Sequence, residues 1–446
     1  MAEISSIVTR FAPSPTGLLH AGNYRTAVFA YLFARKEGGK FVVRIEDTDK
    51  ERSKKEYEEN ILESLQWLNL GYDILYRQSD NTKRHEELLN KLIAEDKAYV
   101  SKEEAGEGKR DEVIRFRNPG QQVSFEDMVR GTISFDTTEL GDFVIARSAS
   151  LPVFHFAVVV DDADEGVTHV IRGEDHISNT PRQILIAKAL GFAIPIYVHL
   201  PLVLGGDRSK LSKRAGAKAL TSYRDMGYLP EAMINYLALL GWHPEDEKEL
   251  FTTEELVQAF TLDRVQKSAG TFDETKLRWF NREHIKRLSD YAFAERLEEY
   301  MKQMGEELPP YTATVIPLLK ERSETLLQAM DALEEGEFDF LKPGFEAPGE
   351  SLLLQGAMAE KGAVIRHFTA LESLLGGLSD EEFTAEKVKE TIFPYATEAG
   401  RAAVLWPMRV ALSGKKKSPD PFTLAGLMGK EETLKRLQAA LLVLKS

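Results

Sequence analysis

The sequence predicts an α/β domain with a parallel sheet, split by a small α+β insert and followed by an all-α C-terminal half. Two observations predict this fold class. Strand-like and helix-like segments alternate over residues 1–75 and again after about residue 150, which is typical of a parallel sheet covered by helices. Beyond about residue 206 the apolar spacing is helical almost throughout.

The first elements follow from apolar runs and from the residues that interrupt them. A β-branched run predicts a buried strand, and Gly38 and Gly39 end the helix that precedes it. In order, we predict a strand at 4–10, a helix at 22–35, a strand at 41–47 and a helix carrying Tyr57, Ile61, Leu65 and Leu68.

The middle of the chain predicts an insert, after which the parallel pattern returns. Short strand-like segments between residues 76 and 150 indicate a separate small unit. A helix is expected at 179–191, with Thr180 as N-cap, Pro181 in the first turn and Gln183 completing a capping box. Strands are expected at 153–162, 167–175 and 197–205, and no strand is expected after about residue 206.

Composition bounds the function. The chain has 446 residues, too many for one core, with 43% hydrophobic and 29% charged residues. It has no cysteine, which excludes disulfides and thiolate metal sites. The N-terminus is unlike a signal peptide, and no apolar run reaches the ~18 residues of a membrane span, so we expect a cytoplasmic protein without a membrane partner. The net charge of −14 argues against a protein that coats DNA, but a local basic face remains compatible with nucleic acid.

The first candidate site is the loop after the first strand, in RFAPSPTGLLHAG. Pro13 and Pro15 stiffen this loop because proline fixes φ, and Gly17 permits a turn that most residues cannot make. His20 lies near the first turn of the next helix, where free N–H groups favour an anion, and Gly22 leaves space for a flat group. The loop is either a preformed seat for a nucleotide phosphate or a rigid turn with a surface histidine. It lacks the GxxxxGK[ST] pattern of P-loop NTPases.

The second candidate site is the segment GGDRSKLSKRAGA at 205–217. Lys210 and Lys213 lie three residues apart between glycines, so this loop can close over a triphosphate and neutralise developing charge. The alternative is a solvated basic turn. Because the two candidate loops follow the first and last strands of one sheet, both are expected at its carboxyl edge, where such folds bind ligands.

These motifs resemble those of class I aminoacyl-tRNA synthetases. PSPTGLLHAG stands where that class has its HIGH motif, and KLSKR stands where it has KMSKS. The ordered segments RFAPSPTG, RIEDTD, VVVDD, VIRGEDHISNTPRQ, YVHLPLVL and KLSKR resemble bacterial glutamyl-tRNA synthetases, and the likeness continues through LKERSETLLQ, WPMRVALSGK and LGKEETLKRL.

The resemblance implies a two-step reaction, in which ATP and glutamate form glutamyl-adenylate and the acyl group then passes to the 3′-terminal adenosine of tRNA. It implies a Rossmann-type catalytic domain and ATP carried with Mg²⁺. The implied catalytic residues are His20, Lys210 and Lys213, and the implied ATP-binding residues are Thr16, His20, Gly22, Asp175 and Lys213.

The resemblance also implies a glutamate pocket that reads charge. The implied pocket residues are Arg10, Ala12, Ser14, Glu46, Phe154 and Arg172. In the family Glu46 meets the amino group, and the guanidinium groups of Arg10 and Arg172 suit a carboxylate. Glutamine would leave buried arginine charge unpaired, so no editing site is needed. The alternative for Glu46, Asp47 and Asp49 is a capping cluster.

Three departures from the family are visible. Phe154 stands where tyrosine is usual, so the pocket is retuned or His155 or water compensates for the hydroxyl. Asn23 stands where a small or hydroxyl residue is commoner. The insert is short and lacks the cysteine-rich zinc site of some relatives, so no zinc is expected there.

The resemblance implies that tRNA contacts the insert, the segment after Lys213 and the helical half, whose basic residues Arg409, Lys415, Lys416 and Lys417 either bind phosphates or form a solvated basic stretch. We expect a monomer that charges glutamate tRNA. The alternatives are a copy that charges glutamine tRNA, a relative that glutamylates a modified base and a non-catalytic tRNA-binding paralogue.

The resemblance also implies domain boundaries. The implied domains are the catalytic halves 1–75 and 151–205, the acceptor-end-binding insert 76–150, the stem-contact region 206–300 and the anticodon-binding subdomains 301–375 and 376–446.

Overall fold

The computed structural model describes residues 6–103, 112–212, 217–342 and 344–446. The chain forms two compact units, one ending at His284 and the other beginning at Ile285. The predicted region 206–300 therefore contains the division between the two units.

The strands of the described chain all belong to the first unit. They are β1 (Val8–Phe11), β2 (Lys40–Ile45), β3 (Ile74–Arg77), β4 (Ala98–Lys102), β5 (Glu112–Phe116), β6 (Gln122–Asp127), β7 (Gly131–Asp136), β8 (Phe143–Ser148), β9 (Leu151–Pro152), β10 (His169–Gly173), β11 (Ile196–Leu200), β12 (Val203–Leu204) and β13 (Gly270–Thr271).

Helices accompany the strands in the first unit and make up the regular structure of the second. The first unit holds α1 (Ala21–Lys36), α2 (Lys55–Trp67), α3 (Thr82–Ala94), α4 (Phe154–Asp164), α5 (Thr180–Leu190), α6 (Leu220–Asp225), α7 (Pro230–Leu239) and α8 (Thr253–Ala259). Next comes α9 (Glu274–Arg287), which includes the division between the units. The second unit holds α10 (Asp290–Met304), α11 (Thr312–Arg322), α12 (Leu326–Glu334), α13 (Glu350–Leu354), α14 (Lys361–Gly376), α15 (Ala385–Ala399), α16 (Arg401–Ser413) and α17 (Pro421–Lys445).

The large sheet has seven described strands in the order β3-β2-β1-β10-β11-β6-β7. Neighbouring strands are parallel except β6 and β7, which form an antiparallel pair. Strand β1 pairs with β2 on one side and with the much later β10 on the other. The strand order therefore reverses beside β1, which opens a crevice at its carboxyl end. The predicted fold class is confirmed.

The region 76–150 is divided between two sheets. Strands β4, β5, β8 and β9 form a separate antiparallel sheet. Strands β6 and β7 instead extend the large sheet, since Asp127 on β6 pairs with Tyr197 on β11. The rings of Phe125 and Tyr197 pack 5.4 Å apart across this junction.

The predicted strand at 153–162 is wrong, because this segment is helix α4. Every residue from Phe156 to Asp161 is buried. A helix covered on all sides loses the polar face that reveals a period of 3.6 residues, so the valine-rich run is indistinguishable from a buried strand.

Three smaller expectations also change. The predicted strand at 197–205 becomes β11 and β12, which are separated by Pro201 and Leu202 and belong to different sheets. Thr180 is the first residue of α5 rather than its cap, and no side-chain capping bond forms there, although Pro181 occupies the first turn as expected. Strand β13, which pairs with β12, lies beyond the point at which strands were expected to stop.

Helix α1 is buried on nearly all sides, and this fixes the position of its N-terminus. It contacts β1, β2 and β10 of the sheet and also α7 and α8. The ring of Phe29 lies 5.1 Å from that of Phe260, and Tyr24 and Leu32 are fully buried. A loop joined to such a helix is held by a close-packed core.

In the second unit, α17 packs against α13, α14, α15 and α16, and α10 packs against α11 and α12. Asp420 begins α17, and its carboxylate accepts hydrogen bonds from the N–H groups of Phe422 (3.0 Å) and Thr423 (3.1 Å). Gly429 interrupts α17 with φ 75°. Among the described residues, no helix has the length and hydropathy to cross a membrane.

Candidate active site

The loop between β1 and α1 is tied to the segment after β2. The carbonyl oxygens of Pro13 and Pro15 accept hydrogen bonds from the N–H groups of Glu46 and Lys54, both at 3.0 Å. A proline keeps its carbonyl acceptor although it lacks an N–H donor. The loop is thus held beside the residue predicted to meet the amino group.

His20 is the residue immediately before α1, as predicted. Its N–H donates to Oδ1 of Asn23 at 3.1 Å, which is one half of a capping box. Sequence reasoning found Asn23 unusual but gave it no role, and the structure shows that it fixes the start of the helix.

Gly22 allows the imidazole of His20 to lie against the helix. A Cβ atom at Gly22 would lie 3.1 Å from Cε1 and Nδ1 of His20 and 3.4 Å from Cβ of Val203. The flat group that approaches Gly22 is therefore the His20 ring itself. The contact with Val203 also shows that β12 lies beside the start of α1.

The two predicted loops lie together. Ala219, just after the lysine segment, forms a β-bridge with His20, and the N–H of Leu220 donates to the oxygen of Leu19 at 3.2 Å. Lys210 forms a bridge with Leu204 on β12. The second predicted lysine, Lys213, is outside the described residues.

Asp175 lies in a 3₁₀ helix at Glu174–Asn179 that follows β10. Its Oδ2 accepts a hydrogen bond from Nζ of Lys210 at 2.7 Å. Burial raises the pKa of Asp175, but this bond and the neighbouring charges together outweigh burial and bring the pKa below its usual value. A Cβ atom at Gly173 would lie 2.4 Å from Oδ1 of Asp175, so glycine is required for this conformation.

The two predicted pocket arginines are buried near each other. Arg10 is 4% exposed and donates from Nε to Asp162 at 3.1 Å and from Nη1 to the oxygen of Ile171 at 3.1 Å. Arg172 is 7% exposed, and burial, together with the charge of Arg10, lowers its pKa to about 10. Among the described residues, Nη2 of Arg10 and Nη1 of Arg172 have no hydrogen-bond partner.

Arg172 is held by two further side chains. Its Nε donates to Nε2 of His199 at 3.1 Å, and its Nη2 donates to Oγ1 of Thr180 at 2.8 Å. Its guanidinium lies 5.4 Å from the ring centroid of Tyr197. The hydroxyl that sequence reasoning assigned to a helix cap thus orients an arginine.

Glu46, 7% exposed, follows β2 and belongs to a buried charge cluster. Its Oε1 lies 3.3 Å from Nη2 of Arg44. Nη1 of Arg44 lies 2.8 Å from Asp162 and 2.9 Å from Glu165. Burial raises the pKa of Glu46, and the charge of Arg44 opposes that rise.

Asp47 and Asp49 behave as the alternative interpretation expected. The carboxylate of Asp47 accepts from the N–H of Ser79 at 2.8 Å and from its hydroxyl at 2.6 Å. That of Asp49 accepts from the N–H of Arg52 at 3.3 Å. Both carboxylates are therefore engaged in local structure.

Phe154 begins α4 and lies among aromatic and imidazole rings. Its ring centroid is 5.5 Å from that of His176 and 5.7 Å from that of His155. Burial, together with the charge of Arg172 and, for His155, that of Arg182, lowers the pKa of each histidine to about 4. Both imidazoles are therefore neutral near pH 7.

The other predicted residues lie along the loop after β1. Ala12 and Thr16 are half-buried and Ser14 is exposed. The N–H of Thr16 donates to the oxygen of Ser14 at 2.9 Å, which closes a tight turn.

Several residues that hold the pocket side chains in place were not predicted from the sequence. They are Arg44, Asp127, Asp162 and His199, and also Thr180, which was predicted only as a helix cap. Two signals could have found some of them: Arg44 interrupts an apolar strand, where an unpaired charge is costly, and Asp162 belongs to the acidic pair that follows the apolar run of α4.

In the second unit, the basic residues proposed for phosphate contacts are partly engaged. Arg409 donates to the oxygen of Lys416 at 2.9 Å, and Lys415 donates to the oxygen of Gly336. Arg409 also lies 4.6 Å from the ring centroid of Trp406.

Comparison with known families gives two matches along the chain. Residues 6–112 and 101–279 match the family described as "tRNA synthetases class I (E and Q), catalytic domain". Residues 292–441 match the family described as "Anticodon binding domain".

Individual proteins similar to this chain match over nearly its whole length. The "Glutamate--tRNA ligase" of Aquifex aeolicus is 40% identical over 97% of this chain and 98% of its own. "Glutamate--tRNA ligase 1" of Acidithiobacillus ferrooxidans is 39% identical over 98% of this chain and 99% of its own. The crystal structure of a glutamate tRNA ligase from Elizabethkingia meningosepticum in complex with its amino acid superposes with a TM-score of 0.81, at 30% identity, over 99% of this chain and 100% of that one.

Proposed function

We propose roles for individual residues from the premise that this chain belongs to the glutamate–tRNA ligases, which are class I aminoacyl-tRNA synthetases. Its reaction is the ATP-dependent ligation of L-glutamate to tRNA. The residue roles rest on the crevice beside β1, where Arg10, Arg172, Glu46, His20 and Lys210 are brought to one edge of the sheet.

The charge pattern of the pocket is the observation that carries the glutamate assignment. Glutamate brings two carboxylates and one ammonium group, and the pocket offers Arg10, Arg172 and Glu46. The two arginines are almost fully buried, and each has one guanidinium nitrogen without a described protein partner. We assign the substrate carboxylates to the arginines and the ammonium to Glu46, whose raised pKa an approaching cation would lower.

Selectivity against glutamine follows from the same groups. A neutral amide in place of the side-chain carboxylate leaves a buried guanidinium without a counter-charge, which costs several kcal/mol. The half-buried Ala12 and exposed Ser14 are proposed to line the entrance, and Phe154 to form an apolar wall. The rings around Phe154 are neutral, so they add no competing charge.

ATP is proposed to bind along the loop before α1. We assign the ATP phosphates to His20, with Thr16 and Gly22 shaping the backbone around them, and place Asp175 beside the nucleotide. The departing pyrophosphate is assigned to Lys210 and Lys213, whose charges offset the charge that develops on it. Mg²⁺ enters with ATP on the phosphate oxygens. We propose no resident zinc; within the described ranges no group of three acidic or histidine side chains is arranged to hold a metal ion.

Catalysis then consists of positioning and charge stabilisation. The glutamate α-carboxylate attacks the α-phosphorus of ATP, the bond to pyrophosphate breaks, and glutamyl-adenylate forms. The 3′-terminal adenosine hydroxyl next attacks the acyl carbon and releases AMP. No protein nucleophile is required in either step, so the residues act by holding the reacting atoms in line.

The helices from Ile285 onward are proposed to bind the anticodon arm, and the sheet of β4, β5, β8 and β9 the acceptor end. The anticodon-domain match over residues 292–441 supports the first assignment. We propose glutamate tRNA as the substrate and a cytoplasmic monomer as the working form. Glutamine tRNA is the alternative, and charging the two purified tRNAs separately distinguishes them. Sedimentation of the protein alone and with tRNA tests the monomer.

The central experiment is Arg172→Ala in the full-length protein, assayed by aminoacylation with saturating tRNA. We expect the KM for glutamate to rise at least about 30-fold while the KM for ATP stays within twofold, because truncating a buried ionic partner costs about 2 kcal/mol or more. Arg35→Ala is the matched control, since Arg35 pairs with Asp73 at the opposite edge of the sheet. An unchanged KM for glutamate in Arg172→Ala would contradict the pocket.

Lys213→Ala tests the phosphate role separately. We expect slower pyrophosphate exchange with an almost unchanged KM for glutamate, since the lysine is assigned to the leaving group. An equal loss in both quantities would remove that role. No exchange by the unmodified protein, with or without tRNA, would favour a tRNA-binding paralogue without catalysis.

A further inference from the structure

A chain of buried polar side chains runs from the strand β6 to the pocket arginine Arg172. Asp127, His199 and Thr180 are all almost fully buried. Oδ2 of Asp127 lies 2.7 Å from Nδ1 of His199, and Nε2 of His199 accepts from Nε of Arg172 at 3.1 Å. Oγ1 of Thr180 accepts from Nη2 of Arg172 at 2.8 Å.

The hydrogen-bond pattern fixes the tautomer of His199. Arg172 can only donate, so Nε2 of His199 must be the unprotonated nitrogen. The ring proton is then on Nδ1, where it is donated to Asp127. A proton on Nε2 would instead face the N–H of Arg172 and push the guanidinium away.

Asp127 is itself held rigidly. Its Oδ1 accepts from the N–H groups of Val129 (3.0 Å) and Arg130 (2.8 Å), and its Oδ2 also accepts from the N–H of His199 at 3.0 Å. Burial raises the pKa of Asp127, but these bonds and the bond from His199 outweigh burial and bring the pKa below its usual value. The carboxylate therefore stays ionised and keeps the imidazole in one tautomer.

We propose that Asp127, His199 and Thr180 are positioning residues that fix Arg172 for recognition of a substrate carboxylate. Nε and Nη2 of Arg172 are occupied by these neighbours, which leaves Nη1 as the donor for the substrate. The ring of Tyr197 stacks on His199 with an angle of 9° between their planes and also faces Arg172, so the imidazole cannot tilt freely. This inference rests on the proposed role of Arg172.

Two variants of His199 separate its contact with Arg172 from its contact with Asp127. His199→Gln places an amide oxygen near the position of Nε2 and preserves an acceptor for Arg172. His199→Asn preserves a donor near Nδ1 for Asp127, but its side chain is too short to reach Arg172. The expected KM for glutamate rises less than about threefold in His199→Gln and about tenfold to a hundredfold in His199→Asn, because a hydrogen bond to a charged group is lost. The KM for ATP should stay within twofold in both.

A residue that only supports the fold would give a different result. Equal changes in both His199 variants, or a lower melting temperature with an unchanged KM for glutamate, would overturn the proposal. Asp73→Asn is the control for disturbing a hydrogen-bond network outside the pocket: Asp73 accepts from the backbone N–H of Phe41 at 2.7 Å and from Arg35, at the opposite edge of the sheet. Its KM for glutamate should not change.

Thr180 provides a second test that does not depend on folding of the His199 variants. Thr180→Val has the same shape but cannot accept from Arg172, and Thr180→Ser keeps the hydroxyl. We expect Thr180→Val to raise the KM for glutamate about tenfold and Thr180→Ser to restore it to within about threefold. No difference between the two variants would overturn the role of Thr180.

The arginine variant separates this proposal from the proposed function. If Arg172→Ala raises the KM for glutamate and the His199 and Thr180 variants do not, only the positioning chain is wrong. If Arg172→Ala leaves that KM unchanged, the pocket assignment itself fails.

Discussion

Gly22→Ala tests whether the position of His20 controls adenylate formation. The added methyl group would lie 3.1 Å from Cε1 and Nδ1 of His20, whereas carbon atoms pack at about 3.5–4.0 Å. The imidazole must therefore retreat by about half an ångström. A displacement of about 1 Å at a reacting centre can cost about a hundredfold in rate, so we expect adenylate formation to slow by about tenfold.

Gly22→Ala should not destabilise the protein, although it slows adenylate formation. Alanine favours a helix over glycine by up to about 1 kcal/mol, and the neighbouring atom is a side chain that can move. We expect an unchanged or slightly higher melting temperature. Pyrophosphate exchange with tRNA present measures the rate, and thermal unfolding measures the stability.

Gly362→Ala is the matched control for Gly22→Ala. Gly362 is also the second residue of a 16-residue helix, but a methyl group added there would have Nη1 of Arg366, at 3.9 Å, as its nearest neighbour. Its exchange rate should equal that of the unmodified protein. Gly22→Ala should also have almost no further effect in a His20→Ala background, since no imidazole is then displaced. Independent losses that multiply in the double variant would refute it.

Three further outcomes are expected. Asp420→Ala removes the cap of α17 and should lower the free energy of denaturant unfolding by about 1 kcal/mol; an unchanged value would contradict the capping role. Gly356→Ala places a Cβ atom 2.6 Å from the indole of Trp406 and should destabilise by about 1–3 kcal/mol, whereas Gly376→Ala, with no atom within 4 Å, should not. Burial and the charge of Arg172 lower the pKa of His176 to about 4, so between pH 6.5 and 4 the unfolded chain binds a proton that the folded chain does not. The free energy of unfolding should therefore fall as the pH drops from 6.5 toward 4. An equally steep fall in His176→Asn would count against this.

Local chemistry explains why much of the fold and site could be predicted. Helix α1 and strand β2 appear at the expected places because glycines and a β-branched run mark their ends and interiors. The segments that carry His20 and Lys210 lie together, as expected for loops that follow strands of one parallel sheet. The prediction for α4 was wrong because this helix is covered on all sides, so its sequence has no polar face that repeats every 3.6 residues.

The supporting residues of the site depend on distant pairs. Asp127 and His199 are separated by 72 positions, and nothing in either local segment specifies the other. The contact between Asp127 and His199 follows from the strand order, which a single sequence does not reveal. Thr180 lies only 8 positions from Arg172, but its neighbours in the sequence indicate a helix cap rather than a hydrogen bond to an arginine on the preceding strand.

The junction between β11 and β6 makes the region 76–150 inseparable from the catalytic core. A shortened enzyme that joined the two catalytic halves directly would lose β6 and β7 and leave β11 as an unprotected edge strand. Tyr197 would lose the ring of Phe125, and the main-chain groups of β11 would be free to pair with another molecule. We therefore expect such a truncation to self-associate, so attempts to miniaturise this enzyme should retain residues 122–136.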